Sequence, residues 1–355
     1  MDNISSSLLA WFDRVALKYP WRGETNVYFI WLSEVMLQQT QVETVKPFYL
    51  NWLKKFPTCE TVANASEDEV LKAWEGLGYY ARARNFHKAC ITICDQFNGI
   101  IPREPEEFLK LKGVGDYMLS AVQSIAFQKP VPAIDGNVKR ILSRLLLIGN
   151  DENNITKKIK TYLQKEINID RPGDFNQALM DFGRIICKPN NPKCSECPIQ
   201  DNCIAYAQDL TREYPVKIKK PQKPHYQIAV GIVWKADKIL VAKRKSKGLL
   251  GGLWEFPGGK INHRESPGEC VEREINEELG ITVESKSKIA KIKHSYTHFS
   301  ITMQAFNCQY IRGTPSTIGC SDYRWITKND FSSLAFPKAN HKIFDQTPVS
   351  NPFKC

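Results

Sequence analysis

The chain has 355 residues, enough for two domains that each bury a core of their own. A hydrophobic content of 42% and a charged content of 25% are ordinary for a globular protein, and no apolar run approaches the roughly 20 residues that span a bilayer. The formal net charge of +11 favours a polyanionic partner, because Arg212 to Lys247 holds eleven Lys/Arg against two acids, Glu213 and Asp237.

The N-terminus, MDNISSSLLAWFDR, has no basic flank before an apolar core, so neither a signal peptide nor a transmembrane segment is expected and the chain is placed in the cytoplasm. Its 11 cysteines, an odd and mostly scattered set, fit a reducing compartment better than a disulfide framework.

Residues 1–110 carry helical patterning. WFDRVALKYPWRG ends at a Pro-Trp-Arg-Gly break that holds Arg22. The next run, NVYFIWLSEVMLQQTQVETVKPFYLNWLKKF, has apolar residues at helical spacing, with Leu32, Val35, Met36 and Val42 predicted as core. Glu34 lies inside that run, where a lone carboxylate is ordinarily a solvated helix residue. In WEGLGYYARARN stand Tyr79 and two arginines, Arg82 and Arg84, that read equally well as phosphate contacts or as a solvated face.

Gly113-Val114-Gly115 is a tight turn between the helical segments EEFLKLK and YMLSAVQSIAF. A turn of this kind leaves N–H groups at a helix N-terminus free to hold a phosphate. Asp135 follows twenty residues after Gly115, in the turn-like AIDGNV. Helical patterning continues through ILSRLLLIGN, ITKKIKTYLQKEI and DFNQALMDFGRII, the last holding Gln177.

Cys187, Cys194, Cys197 and Cys203 then fall in the pattern C-x6-C-x2-C-x5-C. Isolated buried thiols or a zinc site are the simpler readings, but zinc usually takes C-x2-C pairs separated by a longer insert. Four thiolates within seventeen residues, in a loop stiffened by Pro189, Pro192 and Pro198, fit one [4Fe–4S] cluster.

Residues 207–225, AQDLTREYPVKIKKPQKPH, read as a basic Pro/Lys-rich linker. Beyond it, QIAVGIVWKADKILVAKR alternates like paired strands about an Ala-Asp-Lys turn, and KIAKIKHSYTHFSITMQAFNCQYI reads as two or more strands. Between them, GGKINHRESPGECVEREINEELGI sets Gly259, Glu265, Arg273, Glu274, Glu277, Glu278 and Gly280 in the pattern G-x5-E-x7-R-E-U-x-E-E-x-G-U. Glu274, Glu277 and Glu278 fall at i, i+3 and i+4, one helical face on which carboxylates can hold Mg²⁺.

Over nearly its whole length the chain resembles the MutY-type adenine DNA glycosylases, a branch of the glycosylases related to endonuclease III. The octapeptide S-E-V-M-L-Q-Q-T at 33–40, the GVG turn followed by D-G-N-V-K-R, and the cysteine spacing carry the likeness in the first part, and the Nudix box in the second. The fold implied is multidomain. An all-α helix–hairpin–helix DNA glycosylase domain (1–206), with its hairpin at about 108–126 and a [4Fe–4S] loop at 187–203, precedes the linker and an α+β Nudix-like domain (226–350).

The resemblance implies roles residue by residue. Glu34 is the general acid and Asp135 the oxocarbenium stabiliser or nucleophile, with Tyr117 and Asn137 positioning Asp135 and the sugar. Arg22 and Gln177 contact the flipped adenine, Gln39 and Tyr79 enter the base stack, and Gly113, Val114 and Gly115 hold phosphate. Tyr296, Thr297 and His298 stand where the family often has F-S-H against 8-oxoguanine, keeping an aromatic and a hydroxyl. Lys112 replaces the proline usual before the GVG turn. Tyr117 stands where the lyase branch has a Schiff-base lysine, which argues for hydrolysis without strand cleavage. The family's Nudix box is often eroded whereas this one is intact, so Mg²⁺ at Glu274, Glu277 and Glu278 is expected to be possible but not required.

The expected activity is hydrolysis of the N-glycosidic bond of adenine opposite 8-oxoguanine, and opposite guanine, in base excision repair. The implied protein is a monomer acting on double-stranded DNA, nucleoid-associated if bacterial. Two rivals stand beside it: a bifunctional endonuclease III-like glycosylase/lyase, and a Nudix pyrophosphohydrolase acting on oxidised nucleotides.

Overall fold

The computed structural model describes residues 4–149, 152–216, 222–348 and 350–353; residues 217–221 of the expected linker lie outside them. Two compact units result, one of residues 1–64 with 88–220 and one of residues 65–87 with 221–355. Among the described residues no helix is long and apolar enough to cross a membrane.

The regular structure described in the first unit is helical. In chain order it comprises α1 (Ile4–Val15), α2 (Val27–Leu37), α3 (Val42–Lys55) and α4 (Cys59–Ala63). After α5 (Glu67–Ala73), which belongs to the second unit, come α6 (Ala81–Phe97), whose first turns also belong there, and α7 (Pro105–Leu109). Then follow α8 (Asp116–Ile125), α9 (Gly136–Leu145), α10 (Glu152–Glu166), α11 (Pro172–Ile185) and α12 (Ile204–Ala207). Helix α9 buries Val138, Ile141, Leu142 and Leu145, the i, i+3, i+4, i+7 stripe of an amphipathic helix. That stripe packs with Leu8 and Trp11 of α1, Leu163 of α10 and Phe175, Leu179 and Phe182 of α11. Trp11 lies edge-on to Phe182 at 5.7 Å.

Helix α2 is different in kind. Residues 30–36 are all buried, so it has no solvent face, and Glu34 is carried inside. The helical patterning read across 26–56 breaks at Gln38–Gln41, where Gln39 takes φ +56°. Val42 is therefore the first residue of α3 and only half-buried, not the core residue predicted. Leu32, Val35 and Met36 are core, as read.

Between α7 and α8 the chain reverses through Gly113 at φ +86°, a conformation costly for any residue with a Cβ. Gly115 caps α8 without a side-chain hydrogen bond, which leaves first-turn N–H groups of that helix unclaimed by a cap.

The second unit is built on a mixed sheet. Its strands are β1 (His225–Lys235), β2 (Lys238–Lys243), β3 (Trp254–Glu255), β4 (Gly258–Lys260), β5 (Thr282–Ser295), β6 (Ser300–Arg312) and β7 (Asp322–Ile326). The order is β3-β2-β1-β6-β5, with β4 on β1 and β7 on β2, and only the β1–β6 pairing is parallel among them. Helix α13 (Pro267–Leu279) starts with a Ser266/Glu269 capping box and packs Val271, Ile275 and Leu279 against Ala229, Val233 and Leu240. A second core holds Trp254, Phe256, Phe331 and Phe336 with Ala339 and Ile343 of α14 (Lys338–Phe344).

Sequence reading places residues 65–87 in the helical domain, yet they cluster with this second unit. Asp68 pairs with Lys243 at 2.7 Å, Glu75 with His341 at 2.7 Å, and Lys72 donates to the Leu334 carbonyl at 3.0 Å. Arg84 is neither a phosphate contact nor part of a solvated face: it is buried and donates to the carbonyls of Gly251 and Ser246. Arg82 folds over Trp74 and Tyr79, and burial pulls its pKa down to about 10.

Candidate active site

In the first unit, Arg22, Glu34, Tyr117, Asp135, Asn137 and Gln177 line one cavity of about 400 Å³. Glu34 reaches it from α2 and is only 6% exposed. Burial is the largest influence on its carboxyl and pushes the pKa up. The Tyr117 hydroxyl, which donates to Oε2 at 2.8 Å, and the charge of Arg22 pull the other way, while Asp135 and Asp181 reinforce the rise. With Oε2 occupied by Tyr117, Oε1 is the oxygen left to carry a proton.

Asp135 is the N-cap of α9. Its Oδ1 accepts from the Val138 N–H at 2.7 Å and its Oδ2 from Asn137 Nδ2 at 2.8 Å. Asn137 is fixed in turn by Arg140, whose Nη2 donates to Asn137 Oδ1 at 2.9 Å and to the Gly183 carbonyl at 2.7 Å. Gly183 permits the close approach of α9 and α11, since a Cβ there would lie 2.7 Å from that of Asn137.

Arg22 donates to Gln177 Oε1 and, at 2.5 Å, to Asp181 Oδ2. Asp181 is a site residue that sequence reading missed. It is buried, it pairs with Arg184 as well, and burial pushes its carboxyl upward against those two cations. The signal was available: Gln177, Asp181 and Arg184 recur at i, i+4 and i+7 on α11, one face of the helix. Tyr19 and Trp21 also line the cavity, and the spacing of the Pro-Trp-Arg-Gly break alone gave no reason to single them out.

Other predicted residues lie elsewhere. Gln39 is exposed in the turn before α3, and Gly113, Val114 and Gly115 form the α7–α8 hairpin. Tyr79 belongs to the second unit, with φ +49° and its hydroxyl donating to Thr297 Oγ1 at 3.0 Å. Tyr296, Thr297 and His298 form the β5–β6 turn, and Tyr296 stacks on Phe299 with centroids 4.7 Å apart.

The thiols of Cys187, Cys194, Cys197 and Cys203 line a second, small cavity of the first unit. Among the described residues no group of three His, Cys, Asp or Glu donors is placed to hold a single metal ion. Four half-buried thiols around one void are instead a donor set suited to a polynuclear cluster. Burial pushes Cys197 up to about 12 and raises Cys194 and Cys203. Arg144, also lining the void, ties the loop down through the carbonyls of Lys188 at 2.7 Å, Pro189 at 3.1 Å and Tyr214 at 2.8 Å.

In the second unit, Arg273 binds Glu265 at 2.6 Å, Glu274 at 3.0 Å and Glu277 at 3.1 Å. Glu274 and Glu278 line a cavity of the unit whereas Glu277 does not, so the shared helical face of the three predicted Mg²⁺ ligands does not bring all three to one void. Burial, then Glu255 and Glu274, raise Glu278 to about 7.

Residues 32–168 match the HhH-GPD superfamily of base excision DNA repair proteins and residues 229–346 match the NUDIX domain. An adenine DNA glycosylase of Rattus norvegicus is 31% identical, over 95% of this chain and 76% of the relative. One of Homo sapiens is 30% identical, over 98% of this chain and 74% of the relative. Among solved structures, a non-covalent endonuclease III–DNA complex aligns with a TM-score of 0.51 and 25% identity, over 58% of this chain and 96% of that one.

Proposed function

The chain belongs to the adenine DNA glycosylase family, base excision repair hydrolases of the DNA N-glycosylase kind, and we propose that it removes adenine paired with 8-oxoguanine or guanine in duplex DNA. The observation that supports the reading best is the pairing of two unlike carboxyls in one cavity. Glu34 is enclosed and pushed toward its protonated form, while Asp135 sits at a helix N-terminus and accepts two N–H donors.

Adenine is a poor leaving group as an anion, so it must be protonated as the C1′–N9 bond lengthens. Glu34 delivers that proton from Oε1, at N7 by the family resemblance, while Tyr117 holds Oε2. The sugar develops oxocarbenium character, and Asp135 faces it as a carboxylate, either stabilising the charge or adding covalently before water attacks. Asn137 orients Asp135. Arg22 and Gln177 offer polar contacts to the extruded adenine. Tyr117 cannot form a Schiff base, so the reaction ends at the abasic site without strand cleavage.

Cys187, Cys194, Cys197 and Cys203 would hold one [4Fe–4S] cluster, which on binding fixes residues 187–203 and so presents Lys188 and Lys193 as charge for phosphate. No bond-breaking step passes through it. Backbone N–H groups at the Gly113–Gly115 hairpin hold a second phosphate. Gln39 and Tyr79 fill the gap left by the extruded nucleotide, partly offsetting an unstacking cost of a few kcal/mol. Tyr296, Thr297 and His298 read the oxidised base, with Tyr79 and Thr297 acting as one hydrogen-bonded unit. The protein works as a monomer in the cytoplasm, on the chromosome.

Single-turnover release of adenine from matched duplexes with A opposite 8-oxoguanine, guanine or thymine tests this. Fast, slower and no release, in that order, are expected. Equal rates opposite 8-oxoguanine and thymine would remove the lesion-reading part, and no release from any duplex would remove the whole.

A further inference from the structure

Three cysteines of the first unit stand apart from its catalytic cavity and its cysteine loop: Cys59 on α4, and Cys90 and Cys94 on α6. Cys59 is 5% exposed and Cys90 is fully buried, whereas Cys94 is half-buried. The Cys59 and Cys90 thiols share a hydrogen bond, and a disulfide closes only between cysteines that already lie close together. We propose that Cys59 and Cys90 are a modification site, a dithiol that a peroxide converts into a reversible disulfide. The proposal rests on these residues alone and does not depend on adenine excision.

Two observations set the order of attack. Cys59 lines a cavity of about 480 Å³ with Asn26, Tyr28, Thr58, Ile101 and Phe127, which gives a small solute a route to its sulfur. Cys90 is not part of that lining, and burial followed by its Cys59 neighbour pushes its thiol up, so it is the poorer first nucleophile.

The Cys59 sulfur therefore attacks the peroxide first. The O–O bond breaks, an S–O bond forms, and one water leaves a sulfenic acid behind. The Cys90 sulfur then displaces the hydroxyl: the S–S bond forms, the S–O bond breaks, and the hydroxyl departs as a second water with the Cys90 proton. Two thiols are oxidised and one peroxide is reduced.

The place of the pair in the chain gives the bridge its consequence. Between Cys59 and Cys90 runs the segment 65–87, which clusters with the second unit. Cys59 precedes that excursion and Cys90 follows it, so the disulfide closes a covalent ring around the whole segment, Tyr79 included, and restricts its unfolded states. In a reducing compartment the bond is transient, formed under peroxide and reopened by thiols. Peroxides also oxidise guanine, so the ring closes under the conditions that create 8-oxoguanine.

Hydrogen peroxide treatment of the full-length protein, then alkylation and a peptide map without reduction, tests the proposal. A peptide pair joined through Cys59 and Cys90 is expected, lost on adding dithiothreitol, with Cys94 alkylated throughout. Cys90→Ala removes the resolving thiol, so Cys59 should take a dimedone label that the wild type does not. Cys59 and Cys90 both alkylated after peroxide, a bridge from Cys59 to Cys94, or no dimedone label in folded C90A overturns the proposal. If C90A does not fold, Cys59→Ala takes its place: Cys90 and Cys94 should both stay alkylatable after peroxide. Oxidation of Cys90 in that variant would overturn the order of attack and with it the proposal.

Discussion

Glu34 and Asp181 are both enclosed carboxyls raised by burial, but they keep different company. Glu34 accepts one hydroxyl, whereas Asp181 is paired with Arg22 at 2.5 Å. As pH rises through the raised pKa of Glu34 its proton is lost, so adenine release declines on the alkaline side. Asp181→Asn removes an anion that raises Glu34 and leaves the Arg22 charge uncompensated; both changes lower the Glu34 pKa. The alkaline limb of the single-turnover pH profile therefore moves to lower pH. A limb that stays in place while the rate falls equally at every pH would mean that Asp181 serves packing only. Glu34 was legible because its octapeptide is specific. Asp181 was less so: its i, i+4, i+7 spacing with Gln177 and Arg184 marks only a polar helix face, and its role exists only once the α1–α2 loop, α2 and α11 converge on the cavity.

At the scale of elements, the loop of four cysteines and the Asp135 carboxylate are joined through one side chain. Arg140 donates to the Cys187 carbonyl at 2.9 Å, to Gly183 and to Asn137, which in turn holds Asp135. Arg140→Met leaves two carbonyls without their donor at a cost of about 1–3 kcal/mol each, so a lowered melting temperature and a slower adenine release are expected together. Unchanged release in a destabilised R140M would separate the loop from the site. The helices themselves were readable from apolar period, as the α9 stripe demonstrates. The α2–α3 turn was not, because Val45, Tyr49 and Trp52 continue a helical spacing past Gln38–Gln41 and glutamine is itself a good helix former.

At the scale of the whole molecule, the +11 charge makes DNA affinity salt-dependent. The logarithm of the association constant should fall linearly with the logarithm of salt concentration, and Lys188→Ala with Lys193→Ala should flatten the slope by up to about two. A slope that does not change would take those lysines out of the DNA contact. The two-part organisation was legible in the change from helical period to strand alternation after the linker. The membership of 65–87 was not, because Asp68–Lys243, Glu75–His341 and the Arg84 bonds join residues far apart in sequence, and no local pattern encodes such partners.

Glu34→Gln, assayed for adenine release and for affinity in the same preparation on a duplex with adenine opposite 8-oxoguanine, bears most directly on the site. Glutamine keeps the shape and the Tyr117 contact but cannot deliver a proton, so release should fall by about 10²–10⁴-fold with affinity within a few-fold of wild type. Release within tenfold of wild type, in a folded protein that binds normally, would contradict the assignment of Glu34 as the general acid.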